Sequence, residues 1–115
     1  MAAVDPHAIA DLRELNPGDD SFLRDLIQIY LEDTPRRIAE IHTALAMTDR
    51  RALTIAAHSL KGSAANFGAK PLRDLCERVE LCGKKGALDE VPAQLPALEE
   101  EFGRVAAELE ALLPR

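Results

Sequence analysis

Residues 51–68, RALTIAAHSLKGSAANFG, decide how this chain is read. At about 100° per residue, Leu53, Ala56, Ala57, Leu60, Ala64 and Phe67 fall within one arc of roughly 100°, the core-facing stripe of a helix. His58 lies roughly 150° from the centre of that arc, with Thr54, Ile55, Lys61, Gly62 and Ala65 nearest to it on the outer face. The imidazole is therefore expected in water.

Gly62 follows one turn later on the same outer face. A glycine inside a helix costs about 1 kcal/mol relative to alanine, and on a solvated face packing does not offset that. Its use is clearance, since a bare backbone beside the ring lets a bulky reagent or another protein approach. Lys61 places an ammonium next to the ring, where it can pair with an anion attached there. An exposed nucleophilic imidazole, an adjacent cation and an open approach point to phosphoryl chemistry at nitrogen.

The segment Ala57-His58-Ser59-Leu60-Lys61-Gly62, followed by Asn66-Phe67-Gly68, resembles the signature of histidine-containing phosphotransfer (HPt) domains. That pattern has a phospho-accepting His, Lys at +3, Gly at +4 and Gly at +10, present here as His58, Lys61, Gly62 and Gly68. The resemblance implies that Nε2 of His58 is the phosphoacceptor, Lys61 neutralises the phosphoryl group, Gly62 clears space for a partner and Gly68 makes a turn. It also implies the partners, response-regulator receiver domains, including those of hybrid sensor kinases. One receiver would bring a phospho-aspartate and its magnesium, and another would take the phosphoryl group away.

Composition sets the frame for this. A length of 115 residues accommodates one domain, 1–115. With 47% hydrophobic residues, no Trp and few aromatics, the Ala- and Leu-rich balance favours helices. A net charge of −6 argues against a nucleic-acid partner. The basic pairs Arg36-Arg37, Arg50-Arg51 and Lys84-Lys85 read as solvated helix ends. No apolar run approaches the roughly 18 residues that would span a bilayer, and the start lacks signal-peptide character. A cytoplasmic protein, a monomer without membrane attachment, is expected. Cys76 and Cys82 are about 9 Å apart along a helix axis and turned roughly 120° from each other, so they read as small core residues rather than a disulfide.

In chain order, Asp5 caps and Pro6 opens a short helix over about 5–15, with Ile9, Leu12 and Leu15 as its stripe. Asn16-Pro17-Gly18-Asp19 is a turn, after which Asp19 or Asp20 caps a long helix over about 20–47. Its stripe is Leu23, Ile27, Tyr30, Thr34, Ile38, Ile41 and Leu45. Because that stripe stays in phase across Pro35, a kink is favoured over a restart. Phe22, Leu26 and Ile29 form a second stripe, either covered by the first helix or partly exposed beside His58 as a docking surface. Thr54, Ile55 and Ala65 are further docking candidates around the imidazole.

Asp49 caps the third helix, 50–67, which stops before a left-handed Gly68. Pro71 helps open a helix over about 70–85, with Leu72, Leu75, Val79 and Cys82 inward and Gly83 or Gly86 ending it. The last helix, 91–113, carries Leu95, Leu98, Phe102, Val105, Leu109 and Leu112, with Glu99, Glu100, Glu101 and Glu108 off that line. The fold class expected is all-α, an antiparallel up-down-up-down four-helix bundle with a short extra N-terminal helix.

Other chemistries fit poorly. A helical zinc pair wants a second ligand at i±4 from His58, where Thr54 and Gly62 stand. Ser59 and Ser63 point roughly 100° and 140° away from the imidazole, so no nucleophile–base dyad forms. No ATP-binding or kinase motif is present, which makes the chain a phosphoryl carrier rather than an enzyme. No cofactor of its own is expected; magnesium belongs on the partner receiver. The alternative is a helical interaction module that uses the same face without carrying phosphate.

Overall fold

The computed structural model describes residues 3–113, so residues 1, 2, 114 and 115 of the single-domain span lie outside it. Five α-helices follow in order: α1 (Pro6–Glu14), α2 (Ser21–Ala46), α3 (Arg50–Asn66), α4 (Lys70–Lys85) and α5 (Leu95–Glu110). A single 3-10 turn, Leu88–Glu90, stands between the last two. Among the described residues the structure is all-helical.

Local chemistry explains most of the boundaries. The Asp5 carboxylate accepts from the His7 backbone N–H at 2.8 Å, and Pro6 opens α1 where a missing N–H is harmless. Asp19, rather than Asp20, serves α2, accepting from the Ser21 N–H at 2.9 Å. Asp49 accepts from the Ala52 N–H at 3.0 Å and starts α3. Gly68 (φ +62) and Gly86 (φ +78) take the left-handed turns after α3 and α4. The long helix α2 passes Pro35 without restarting at Thr34, and the proline sits on its exposed side.

Helix α3 packs closely on α2 and α4, and α5 closes against α4 and α2. Consecutive helices are therefore neighbours in an elongated bundle of 47 × 24 × 22 Å, and α3 and α5 lie diagonally opposite. The α3 stripe is buried as expected, from Leu53 through Ala56, Ala57, Leu60 and Ala64 to Phe67. Removing such side chains from water is the main force holding the bundle together. The start of the chain folds over one end, where the Asp5 N–H donates to the Phe67 carbonyl at 3.1 Å and Glu108 accepts from Ala3 and Val4.

Four expectations need correction. In α1 the inward line is Ile9 with half-buried Leu12, while Leu15 follows the helix and is exposed. In α2 the buried line ends on Ala44, with Leu45 half-buried. In α4 the buried side is Leu72, Cys76, Val79, Glu80 and Gly83, leaving Leu75 and Cys82 half-buried. Close approach of α3 selects this rotation: a Cβ on Gly83 would collide with the Thr54 hydroxyl and Leu53, so the small residue belongs in the seam and the helix continues to Gly86. In α5 the helix begins at Leu95 and ends at Glu110, not 91 and 113, because Val91-Pro92 turns the chain first. There Glu101 is buried, Phe102 half-buried and Leu112 exposed.

Candidate functional site

His58 stands midway along α3 with its side chain 68% exposed. The sequence places it there because its helix face lies opposite the apolar stripe, and the position one turn on is a glycine. At Gly62, one turn on, nothing lies within 4 Å of the position a Cβ would occupy. Internal packing does not require that glycine, unlike Gly83, and the space above the ring is open.

Below the ring lies a residue that the helical periodicity did not reveal. Glu80, on α4, is almost wholly buried, and its Oε2 is 2.9 Å from His58 Nδ1. Lys61 Nζ is 2.7 Å from Glu80 Oε1, and Lys84 Nζ is 3.2 Å from Oε2. Burial alone would push the Glu80 carboxyl up, but hydrogen bonds from Lys61, His58 and Lys84 outweigh it and hold the carboxyl down at about 2. The group is therefore a carboxylate near neutral pH.

A carboxylate only accepts hydrogen bonds, so the contact places a proton on Nδ1 of the imidazole. In the neutral ring the lone pair is then on Nε2, directed away from Glu80 toward solvent. The site thus presents an unpaired ring nitrogen of fixed identity on a rigid helix. Two ammonium groups stand beside it, both already gathered by one buried carboxylate.

Each residue expected from the sequence can now be placed. His58, Lys61 and Gly62 come together around the ring, with Lys61 half-buried against Glu80. Gly68 makes the turn after α3 and also admits the start of α1, since a Cβ there would press on Asp5 and Ala8. Ile55 and Ala65 are exposed on the His58 side of α3. Thr54 belongs to the seam with α4, its hydroxyl donating to the Arg50 carbonyl at 2.8 Å. Phe22 and Ile29 are exposed and Leu26 half-buried, so α1 does not cover that stripe. The stripe is nevertheless not level with the imidazole. Tyr30 stacks edge-on with Phe67 at 5.5 Å, nine residues past His58 and about 13 Å further along the axis.

Helical periodicity did not single out Glu80, and it assigned Lys84 to a solvated helix end rather than to this cluster. The available signal was a charged residue in the apolar phase of α4, four residues after Cys76 and three before Gly83. Cys76 is buried and its thiol pushed up to about 12, first by burial and then by Glu80, which leaves it a packing residue. Among the described residues both cysteines are free, and no three His, Cys, Asp or Glu side chains gather as metal ligands.

The Hpt domain family model matches residues 25–113. This chain belongs to the Hpt domain family. It is 33% identical over 95 residues to multistep phosphorelay regulator 1 of Schizosaccharomyces pombe, an alignment covering 81% of this chain and 32% of that protein. Against the phosphorelay intermediate protein YPD1 of Candida albicans the identity is 26% over 82 residues, 71% of this chain and 45% of that one. The chain thus spans about a third to a half of the length of these two relatives. The crystal structure of histidine-containing phosphotransfer protein B of Pseudomonas aeruginosa superimposes with a TM-score of 0.86 at 30% identity, covering 95% of this chain and 92% of that one. The Hpt helical-bundle fold is shared along nearly the whole chain. Among the described residues no helix is long and apolar enough to cross a membrane.

Proposed function

We propose that this chain is a phosphorelay intermediate that accepts a phosphoryl group on Nε2 of His58 from a receiver-domain aspartate and passes it to a second receiver. The observation that carries this is the 2.9 Å contact between His58 Nδ1 and the buried Glu80 carboxylate. It selects the nitrogen that attacks. When Nε2 attacks the aspartyl phosphate, the N–P bond forms as the O–P bond breaks and the aspartate leaves as a carboxylate. The ring becomes positively charged while keeping its Nδ1 proton, and Glu80 stabilises that charge at short range. The reverse sequence on the second receiver discharges the ring.

Phosphoryl transfer asks chiefly for positioning and charge neutralisation. This chain provides the exposed ring, Lys61 and Lys84 at its edge, and the clearance at Gly62. The magnesium is held by the receiver, as a small hard cation on carboxylates and phosphate oxygens. The chain is a carrier without a kinase site of its own, working in the cytoplasm as a monomer.

The test is mass spectrometry of wild type and His58→Gln after incubation with phosphoramidate, followed by acid and base challenge. One acid-labile, base-stable phosphoryl group on wild type and none on His58→Gln is expected, with both proteins equally helical by circular dichroism. A wild type that takes up no phosphoryl group, or a variant labelled equally, refutes the reading. The first result would leave a helical interaction module using the same face.

A further inference from the structure

Residues 3–14 are held differently from the four long helices. Helix α1 has nine residues, of which only Ile9 is buried, with Leu12 half-buried. A helix of that length is not stable alone in water, because too few hydrogen bonds follow its costly first turn. The three residues before it supply the attachment. The Glu108 carboxylate on α5 accepts from the Ala3 N–H at 2.6 Å through one oxygen and from the Val4 N–H at 3.1 Å through the other. The Asp5 N–H donates to the Phe67 carbonyl at 3.1 Å, and Ala3 and Val4 are themselves buried.

Two further features set this segment apart from the bundle. An open crevice lined by Val4, Ile9, Glu108, Ala111 and Leu112 lies between α1 and the end of α5. Residues 15–20, which lead into α2, are all exposed. Within them Gly18 has φ +82 and nothing within 4 Å of the place a Cβ would take. The segment is thus joined to the bundle by an unpacked link at one end and by a carboxylate at the other.

We infer that residues 3–14 form a clasp that opens and closes as one unit on a standing four-helix bundle, with the Glu108 carboxylate as its latch. Once Glu108 lets go, the Asp5 bond and the burial of Ile9 are what hold α1. A nine-residue helix that leaves its seat unravels, so the segment departs cooperatively. Each opening takes the donor away from the Phe67 carbonyl and brings Val4 and Ile9 into water. The clasp meets α3 nine residues beyond His58, so it opens without disturbing the contact between His58 and Glu80.

The experiment is native-state hydrogen exchange of the full chain, read residue by residue by NMR. It compares wild type, Glu108→Gln and, as a control with the same charge change on α5, Glu110→Gln. The amide in Glu108→Gln keeps one acceptor oxygen and turns N–H groups toward the second backbone N–H, so one of the two latch bonds is lost. In wild type the amides of Ile9, Ala10, Asp11 and Leu12 should share one protection, at least about a hundredfold below that of Ala56–Leu60 in α3. Their exchange should respond weakly to low urea, as an opening that exposes little surface does. Glu108→Gln should lower the protection of these four amides together, on the order of tenfold, and leave α3 unchanged. Glu110→Gln should match wild type.

Protection of the α1 amides equal to that of α3 in wild type overturns the inference, because α1 would then open only with the whole chain. Protection that declines residue by residue toward the start of α1 also overturns it, since that is fraying rather than one unit. A Glu108→Gln profile identical to wild type removes the latch, and an equal loss in α1 and α3 makes Glu108 a brace of the whole fold instead.

Discussion

Glu80 of α4 and Glu101 of α5 are both buried carboxylates in an otherwise apolar interior, at 2% and 7% exposure. Glu101 is paired within its own helix, accepting from Arg104 Nη1 at 2.8 Å, while Arg104 also reaches Glu100 at 2.7 Å. Glu80 gathers groups from two helices: His58 and Lys61 from α3, and Lys84 one turn along α4. Burial of a charge therefore does not by itself mark a site. What distinguishes Glu80 is that it holds an exposed imidazole from a neighbouring helix by one nitrogen and leaves the other bare.

That contrast can be broken most forcefully by truncating each glutamate. Glu80→Ala should slow phosphoramidate labelling of His58 on the order of tenfold or more, because the ring loses its fixed tautomer and the charge that stabilises the phosphorylated ring. Glu101→Ala should label at the wild-type rate. Equal labelling rates for the two variants would erase the distinction.

A second test sharpens it through pH. The Glu80 carboxyl is held at about 2 from an ordinary 4.5, so the stability it contributes is fully present above about 4.5 and is lost as pH falls toward 2. Unfolding free energies from urea titrations across that window should fall more steeply for wild type than for Glu80→Gln, by no more than about 3 to 4 kcal/mol in total. Parallel profiles would mean that the ion cluster adds nothing to folding.

The smallest effect is expected from Lys61→Ala. Lys84 still neutralises Glu80, so labelling should drop only a few-fold, on the order of a single charge-assisted contact. Helicity should be unchanged. An unchanged labelling rate would reduce Lys61 to a structural partner of Glu80.

These contrasts also show what the sequence can disclose. Helix ends were legible where a single residue has a local job: Asp5 and Pro6, Asp49, Gly68, Pro71. The inward stripe of α3 was legible because its six apolar residues share one phase. The start of α5 was not, since a 3.6-residue period continues formally through Val91 and Pro92 although the chain turns there. The site was half legible. His58, Lys61 and Gly62 lie within one turn of each other, so their spacing alone brings them together. Glu80 is 22 residues away, and its meeting with His58 depends on the α3–α4 register and on the close approach that Gly83 permits. Periodicity assigns residues to the face of one helix; it does not say which residue of the next helix that face will meet.

The most direct measurement is nitrogen-resolved NMR of the His58 imidazole before and after phosphoramidate labelling. In the neutral ring the proton should sit on Nδ1 before labelling, and the phosphoryl group should be on Nε2 afterward. A phosphoryl group on Nδ1, or a neutral ring protonated mainly on Nε2, would contradict it.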